Sequence, residues 1–212
     1  MPDFQERTKA QFAVVYLTLI SVIQGCVLGY FFVVADAASS TPTWRGGLLF
    51  FTSFLLIALV WNEYMMWTTM VRWVLRLPDS LLPLLMGLFQ FGMIRAIPSR
   101  SNAYFLAAAA FFVTSLVKYR HASLAGRHEP ENLPILESLR GWNLTTELML
   151  VGAVALALVA AWLDGRLDGG SGTSPWPALL TAVMPVAYLV RSVIFWRFVC
   201  PVGPSAAPAA KG

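Results

Sequence analysis

The sequence predicts an all-α integral membrane protein, a bundle of about six transmembrane helices with both termini in the cytoplasm. Of its 212 residues, 58% are hydrophobic and 12% are charged, about half the charged fraction of a typical soluble domain. Six apolar segments are long enough to cross a bilayer as helices, and basic residues and tryptophans concentrate near their ends. A chain this short cannot bury so much apolar surface in one soluble core, so lipid is the expected solvent.

The first three segments are predicted at residues 10–35, 47–77 and 80–97. The first is longer than the apolar core of a signal peptide, which has about 7–15 residues, so we expect an uncleaved helix. The second contains no helix breaker before Leu77 and is expected to reach the cytoplasmic interface as one helix. Pro78 ends it, and Asp79 or Ser80 is expected to cap the third segment.

The other three segments are predicted at residues 102–118, 142–163 and 176–199. Residues 119–141 are the longest polar stretch and are interpreted as a cytoplasmic loop, near whose end Pro134 is expected to open a helix that leads into the fifth segment. Residues 201–212 are rich in Pro and Ala and are interpreted as a disordered tail. Residues 1–200 are therefore expected to form a single polytopic membrane domain.

The basic residues predict the orientation of the bundle. With six spans, one side of the membrane holds both termini and these residues: Arg7, Lys9, Arg72, Arg76, Lys118, Arg120, Arg127, Arg140, Arg197 and Lys211. The other side holds only Arg45, Arg95, Arg100 and Arg166. This bias places both termini in the cytoplasm, and the composition is typical of a bacterial inner (plasma) membrane protein. Tryptophans near the predicted span ends support the six-span count: Trp44, Trp73, Trp142, Trp162, Trp176 and Trp196.

Charged side chains inside the apolar segments are the candidate functional residues, because a charge at the centre of a membrane helix costs about 2.5–3.5 kcal/mol. Glu63, Glu147 and Arg191 are predicted at one level, in the cytoplasmic half of the bilayer. Arg191 is expected to pair with Glu63 or Glu147. Asn62 lies on a different face of its helix from Glu63, which predicts two different neighbours. The four residues indicate either an ion or solute pathway or an ion pair that fixes helix register.

The sequence disfavours several classes of function. It contains no phosphate-binding loop, nucleophile elbow, zinc-protease helix or dinucleotide-binding fingerprint. Cys26 and Cys200 have neither metal-site nor disulfide-framework spacing. We therefore expect no catalytic residue, metal or cofactor, and no nucleic-acid partner, since the basic residues do not cluster on a soluble face.

Three functions stay open on the sequence alone. The first is a small membrane transporter or channel component for ions, protons or a small polar solute, working as an oligomer because six short spans leave little room for a pathway. The second is a non-catalytic partner or sensor subunit, such as an accessory, assembly, stress or phage-defence component. It would act through the loop 119–141, with Arg127, Glu129 and Glu131 as partner-binding candidates. The third is an intramembrane lipid-modifying enzyme. Besides the lipid bilayer, the expected partners are copies of the chain or a membrane or cytoplasmic protein.

Overall fold

A computed structural model describes residues 4–39, 43–99, 102–167 and 174–199. In the described ranges the chain is helical apart from short connections. The elements are α1 (Phe4–Ala38), α2 (Trp44–Met70), α3 (Leu77–Ala96), α4 (Ala103–Arg127), a 3₁₀ turn (Pro130–Asn132), α5 (Leu133–Ser138), α6 (Arg140–Leu167) and α7 (Trp176–Val199). The predicted tail at 201–212, together with Arg100, Cys200 and Lys211, lies outside the described residues.

The long helices form a closed ring, with only the short α5 left out. Around this ring α1 packs on α2, α2 on α7, α7 on α6, α6 on α4, α4 on α3, and α3 back on α1. The approach of α3 to α1 requires Gly87, because a Cβ atom there would lie 2.6 Å from Cγ2 of Ile23. Helix α4 lies across the ring from α2, which also contacts α3, so the residues that face the centre of the ring come from opposite sides of the bundle.

Successive long helices run in opposite directions, which gives the bundle two distinct ends. Lys9 in the first turns of α1 pairs with Glu129 after α4, and Trp142 at the start of α6 packs edge-on against Phe195 near the end of α7. We call this the basic end, because most of the chain's cations lie near it: Lys9, Arg72, Arg76, Lys118, Arg120, Arg127, Arg140 and Arg197. The sequence assigned this same end to the cytoplasm.

Five helices of the described chain are long and apolar enough to cross a membrane, namely residues Glu6–Ala38 of α1 and the whole of α2, α3, α6 and α7. Helix α4 is not among them, although it has 25 residues, because Lys118, Arg120 and His121 follow its apolar run. An all-helical bundle with several potential membrane spans agrees with the predicted fold class.

The second segment ends earlier than predicted. Helix α2 ends at Met70, and Val71 and Arg76 have extended backbones, so the prediction of one helix to Leu77 is wrong. Asn132 causes the difference by accepting a hydrogen bond from the Arg72 N–H (3.3 Å) and donating one to the Arg72 carbonyl (2.6 Å). These bonds replace those that a continued helix would make.

Helix α3 begins at Leu77, so the prediction that Pro78 separates the two segments and that Asp79 or Ser80 is the N-cap is wrong. Arg76 is the N-cap, Pro78 lies in the first turn of α3, and Asp79 caps the helix from its third position. The Asp79 carboxylate accepts a hydrogen bond from the Arg76 backbone N–H at 2.7 Å, the reciprocal half of a capping box.

The polar stretch 119–141 is mostly helical, so its interpretation as a loop is wrong up to Arg127, whereas the helix predicted at Pro134 is present as α5. Helix α4 continues to Arg127, and the 3₁₀ turn and α5 fill the connection to α6. The buried residues of this extension recur at helical spacing, which explains why the helix persists beyond the apolar run: Tyr119, Ala122, Ala125 and Gly126.

One of the tryptophans expected in the interfacial belt is instead part of the core. Trp73 is 1% exposed, its ring centroid lies 4.3 Å from that of Phe12, and its Nε1 donates to Asp79 at 3.0 Å. Trp44, Trp162 and Trp176 are exposed, as residues at a membrane interface should be.

Candidate functional site

An ion pair between α2 and α7 lies at the centre of the candidate site. Nη1 of Arg191 donates to Oε1 of Glu63 at 3.2 Å, and both side chains are almost fully buried. Each residue lies about 10–12 Å from the basic end of its helix, given 1.5 Å of rise per residue. The structure thus pairs Arg191 with Glu63, the first of the two acids that the sequence offered.

Asn62 contacts the same neighbouring helix as Glu63. Its Oδ1 accepts a hydrogen bond from Nε1 of Trp196 at 2.9 Å, and Trp196 belongs to α7, as does Arg191. The prediction of two different neighbours for Asn62 and Glu63 is therefore wrong. Helix α7 is packed so that it meets both faces of α2, which ties the two helices together at successive residues.

Aromatic rings hold the Arg191 guanidinium in place. Its Cζ lies 5.0 Å from the ring centroid of Tyr188 and 5.8 Å from that of Trp142, distances at which a cation is attracted to a ring face. Tyr188 also interacts electrostatically with both Glu63 and Arg191. Within the described residues, Nε of Arg191 has no hydrogen-bond partner.

A third buried charge, which the sequence analysis did not single out, lies across the ring from this pair. Lys118 of α4 is 5% exposed, and its Nζ lies 4.0 Å from the centroid of the Tyr64 ring. In the described part of the chain it makes neither an ion pair nor a hydrogen bond. Its position at the predicted end of a span indicated an interfacial residue, and only the continuation of α4 buries it.

A cavity of about 60 Å³ separates these charges at the centre of the ring. Its charged and hydroxyl-bearing walls are Glu63, Ser115, Lys118, Tyr119 and Tyr188. Tyr64 also lines the cavity, and its hydroxyl donates to the Met86 sulfur at 3.7 Å. The remaining walls are apolar: Leu56, Leu59, Val60, Met86, Phe111, Phe112, Met149, Leu150, Ala153, Met184 and Pro185. The charged groups lie on the side towards the basic end, and the apolar walls continue towards the middle of the bundle. A small molecule with one charged group and an apolar body fits this division.

Glu147, the fourth predicted pathway residue, lies apart from the cavity. Its Oε2 accepts hydrogen bonds from Nε and Nη2 of Arg120 at 3.3 and 3.1 Å. The Arg120 side chain is 62% exposed. Glu147 therefore belongs to a surface ion pair between α4 and α6.

The three partner-binding candidates have different environments. Arg127 and Glu131 are exposed, whereas Glu129 is partly buried and forms an ion pair with Lys9 of α1. The connection that carries them is anchored by Asn132, which is buried and donates to the Gly126 carbonyl at 3.0 Å. Arg127 and Glu131 are therefore exposed on an anchored surface, whereas Glu129 forms an ion pair within the protein.

Two further buried polar clusters were missed in the sequence. Arg45 pairs with Asp164 at 2.7 Å between α2 and α6, at the end opposite to the basic end. Nε2 of His121 contacts Asp79 at 3.2 Å. Arg45, Asp164, His121 and Asp79 all fall at or beyond the predicted span ends, where local hydropathy does not distinguish a solvated charge from a buried one.

The described residues contain no group of three or more His, Cys, Asp or Glu side chains that could hold a metal ion. No protein-family model, curated protein or solved structure matches this chain. Its function therefore has to be argued from the geometry of the cavity and its charges.

Proposed function

We propose that the protein is a small transporter in the bacterial inner membrane that moves a small solute or ion through the centre of its helix ring. The observation that supports this most is the central cavity, which Glu63 and Lys118 both line although they come from helices on opposite sides of the ring. Buried charges that line a cavity in a membrane bundle are typical of substrate and ion pathways.

In this proposal the Glu63–Arg191 pair closes the cavity on the cytoplasmic side. The pair joins α2 to α7, and its separation would open a route from the cavity to the basic end. Pro185 lines the cavity within α7 and cannot donate the helical hydrogen bond to the carbonyl of Thr181. Helix α7 is therefore the element best suited to bend when the pair separates.

The proposal includes six spans, namely the five long apolar helices and α4, with both termini in the cytoplasm. Helix α4 packs between α3 and α6 in the ring, so it would share their membrane depth. The start of α1 and the end of α7 lie at the basic end, and the excess of cations there supports a cytoplasmic assignment.

A partner or sensor subunit is the second candidate function, and a specific observation favours it. Arg127 and Glu131 are exposed on a connection that Asn132 anchors at Arg72 and Gly126, so a partner protein would meet a defined surface. Under this alternative, charge reversal at Arg127 or Glu131 abolishes function, whereas Glu63→Gln has little effect.

The test of transport is a flux assay in proteoliposomes with the full chain. We expect flux of at least one member of a panel of protons, monovalent ions and small organic solutes, and we expect Glu63→Gln to abolish it. Glu147→Gln is the matched control, since it makes the same chemical change in the surface pair and should leave flux intact. Folded wild-type protein that moves nothing across the panel would contradict the proposal, as would a Glu63→Gln variant with unchanged flux.

A further inference from the structure

We infer that the central cavity binds a short-chain aliphatic monocarboxylate, whose carboxylate contacts Nζ of Lys118 and whose alkyl group packs on the apolar walls. This inference rests on the proposed function, because it names the substrate class of the same cavity. It depends on the balance of buried charge, on the donors left available in the cavity, and on the cavity's size.

The buried charges around the cavity do not balance. Among the described residues that line the cavity, Glu63 is the single carboxylate, and it is already bound to Arg191 at 3.2 Å. Lys118 is 5% exposed and lies over the Tyr64 ring, with no ion pair in the described part of the chain. A buried ammonium is costly unless an opposite charge or hydrogen-bond acceptors surround it. A bound anion would supply both.

Lys118 is also the cationic donor that the cavity leaves available. The Ser115 hydroxyl donates to the Phe111 carbonyl at 2.8 Å, and the Tyr119 hydroxyl donates to Oδ1 of Asn143 at 2.6 Å. Tyr188 interacts electrostatically with the Glu63–Arg191 pair. An ammonium has three donors and no acceptor, so this arrangement suits one anionic group and offers little to a ligand with many hydroxyls.

The size and walls of the cavity define the rest of the ligand. The volume of about 60 Å³ is several times the roughly 10–15 Å³ that a cavity needs to hold one water molecule, which gives room for a ligand of a few heavy atoms. Leu56, Val60, Phe112 and Leu150 line the space beside Lys118 and offer an alkyl group contacts without polar competition.

The test is isothermal titration calorimetry on the full chain in detergent, with butyrate and its uncharged analogue butyramide. We expect millimolar binding of butyrate and at least about 10-fold weaker binding of butyramide, because a charge-assisted contact of this kind is worth about that much. This comparison uses only wild-type protein, so it stands even if a variant fails to fold.

The variant arm compares Lys118→Met with Arg120→Met, which removes an exposed cation from the same helix. We expect Lys118→Met to weaken butyrate binding about 10-fold or more and Arg120→Met to leave it unchanged. Equal binding of butyrate and butyramide, unchanged binding by a folded Lys118→Met variant, or binding of long-chain carboxylates alone would each overturn the assignment. Carboxylate binding without flux would contradict only the transport function, whereas flux without carboxylate binding would contradict only this inference.

Discussion

Two buried ion pairs connect helices of the ring, and they differ in what surrounds them. Arg45–Asp164 joins α2 to α6 at 2.7 Å, at the end away from the basic end. Glu63–Arg191 joins α2 to α7 at 3.2 Å and borders the central cavity, with Lys118 as a further cation on the same cavity. A charge buried between helices can therefore stabilise the packing of two helices, as proposed for Arg45–Asp164, or line a binding cavity, as proposed for Glu63–Arg191. Its neighbours distinguish the two roles.

The largest expected effect is the loss of stability when one partner of the Arg45–Asp164 pair is removed. Asp164→Leu leaves the buried Arg45 without that carboxylate, and breaking a buried pair in this way costs about 3–5 kcal/mol. Unfolding by denaturing detergent, monitored by circular dichroism, measures the change. A loss below about 1 kcal/mol would show that the pair is not what holds α2 to α6.

Removing both partners should reverse most of that loss. Arg45→Met together with Asp164→Leu replaces two charges by apolar side chains of similar size, and such replacements are often neutral or stabilising. Glu63→Leu with Arg191→Met should behave in the same way. We expect both double variants to unfold within about 1–2 kcal/mol of wild type. If a double variant is as unstable as the corresponding single variant, the loss of unfolding free energy at that pair comes from packing and not from an unpaired charge.

Lys118→Met sharpens the comparison, because Lys118 is buried near a carboxylate without pairing with it. Removing its charge leaves no carboxylate without its existing partner, so we expect unchanged or higher stability, by up to about 1–2 kcal/mol. The same unfolding assay measures this. A loss of more than about 2 kcal/mol would mean that the Lys118 ammonium stabilises the fold. It would then contradict the inference that Lys118 is an unbalanced charge that a bound anion neutralises.

The smallest effect is expected at the surface pair. Glu147→Gln removes a contact with an exposed arginine, and pairs of this kind contribute about 0–1 kcal/mol. We expect near-wild-type unfolding, with any change disappearing at high salt. A larger, salt-independent loss would place Glu147 in the buried network with Glu63, contrary to the observed contacts.

The sequence predicted those features that depend on local patterns. Glu63 and Arg191 stood out because each is a charge in the middle of an apolar run, where burial makes a partner necessary. Segment six, residues 176–199, coincides with α7, because its apolar run is continuous and bounded by loop-forming residues. The helical class, the apolar helices long enough to cross a membrane and the concentration of cations at one end followed from composition and position alone.

What the sequence could not predict depends on distant contacts. The end of α2 at Met70 is set by Asn132, which lies 60 residues away from Arg72 in the chain. Lys118 fell at the end of one predicted span and Asp164 just beyond another, so neither was expected to be buried. Their burial depends on how far α4 and α6 extend beside their neighbours. Predicting that Glu147 lies apart from Glu63 would likewise have required the order of helices around the ring. A helical wheel of one segment does not give that order.

The central claim is that the pair on the cavity is functional and the other pair is structural, and flux of the two double variants in proteoliposomes tests it most directly. Using the solute that wild-type protein transports, we predict wild-type flux from the Arg45→Met/Asp164→Leu variant and none from the Glu63→Leu/Arg191→Met variant, at matched folding. Equal flux from both folded variants would contradict the claim.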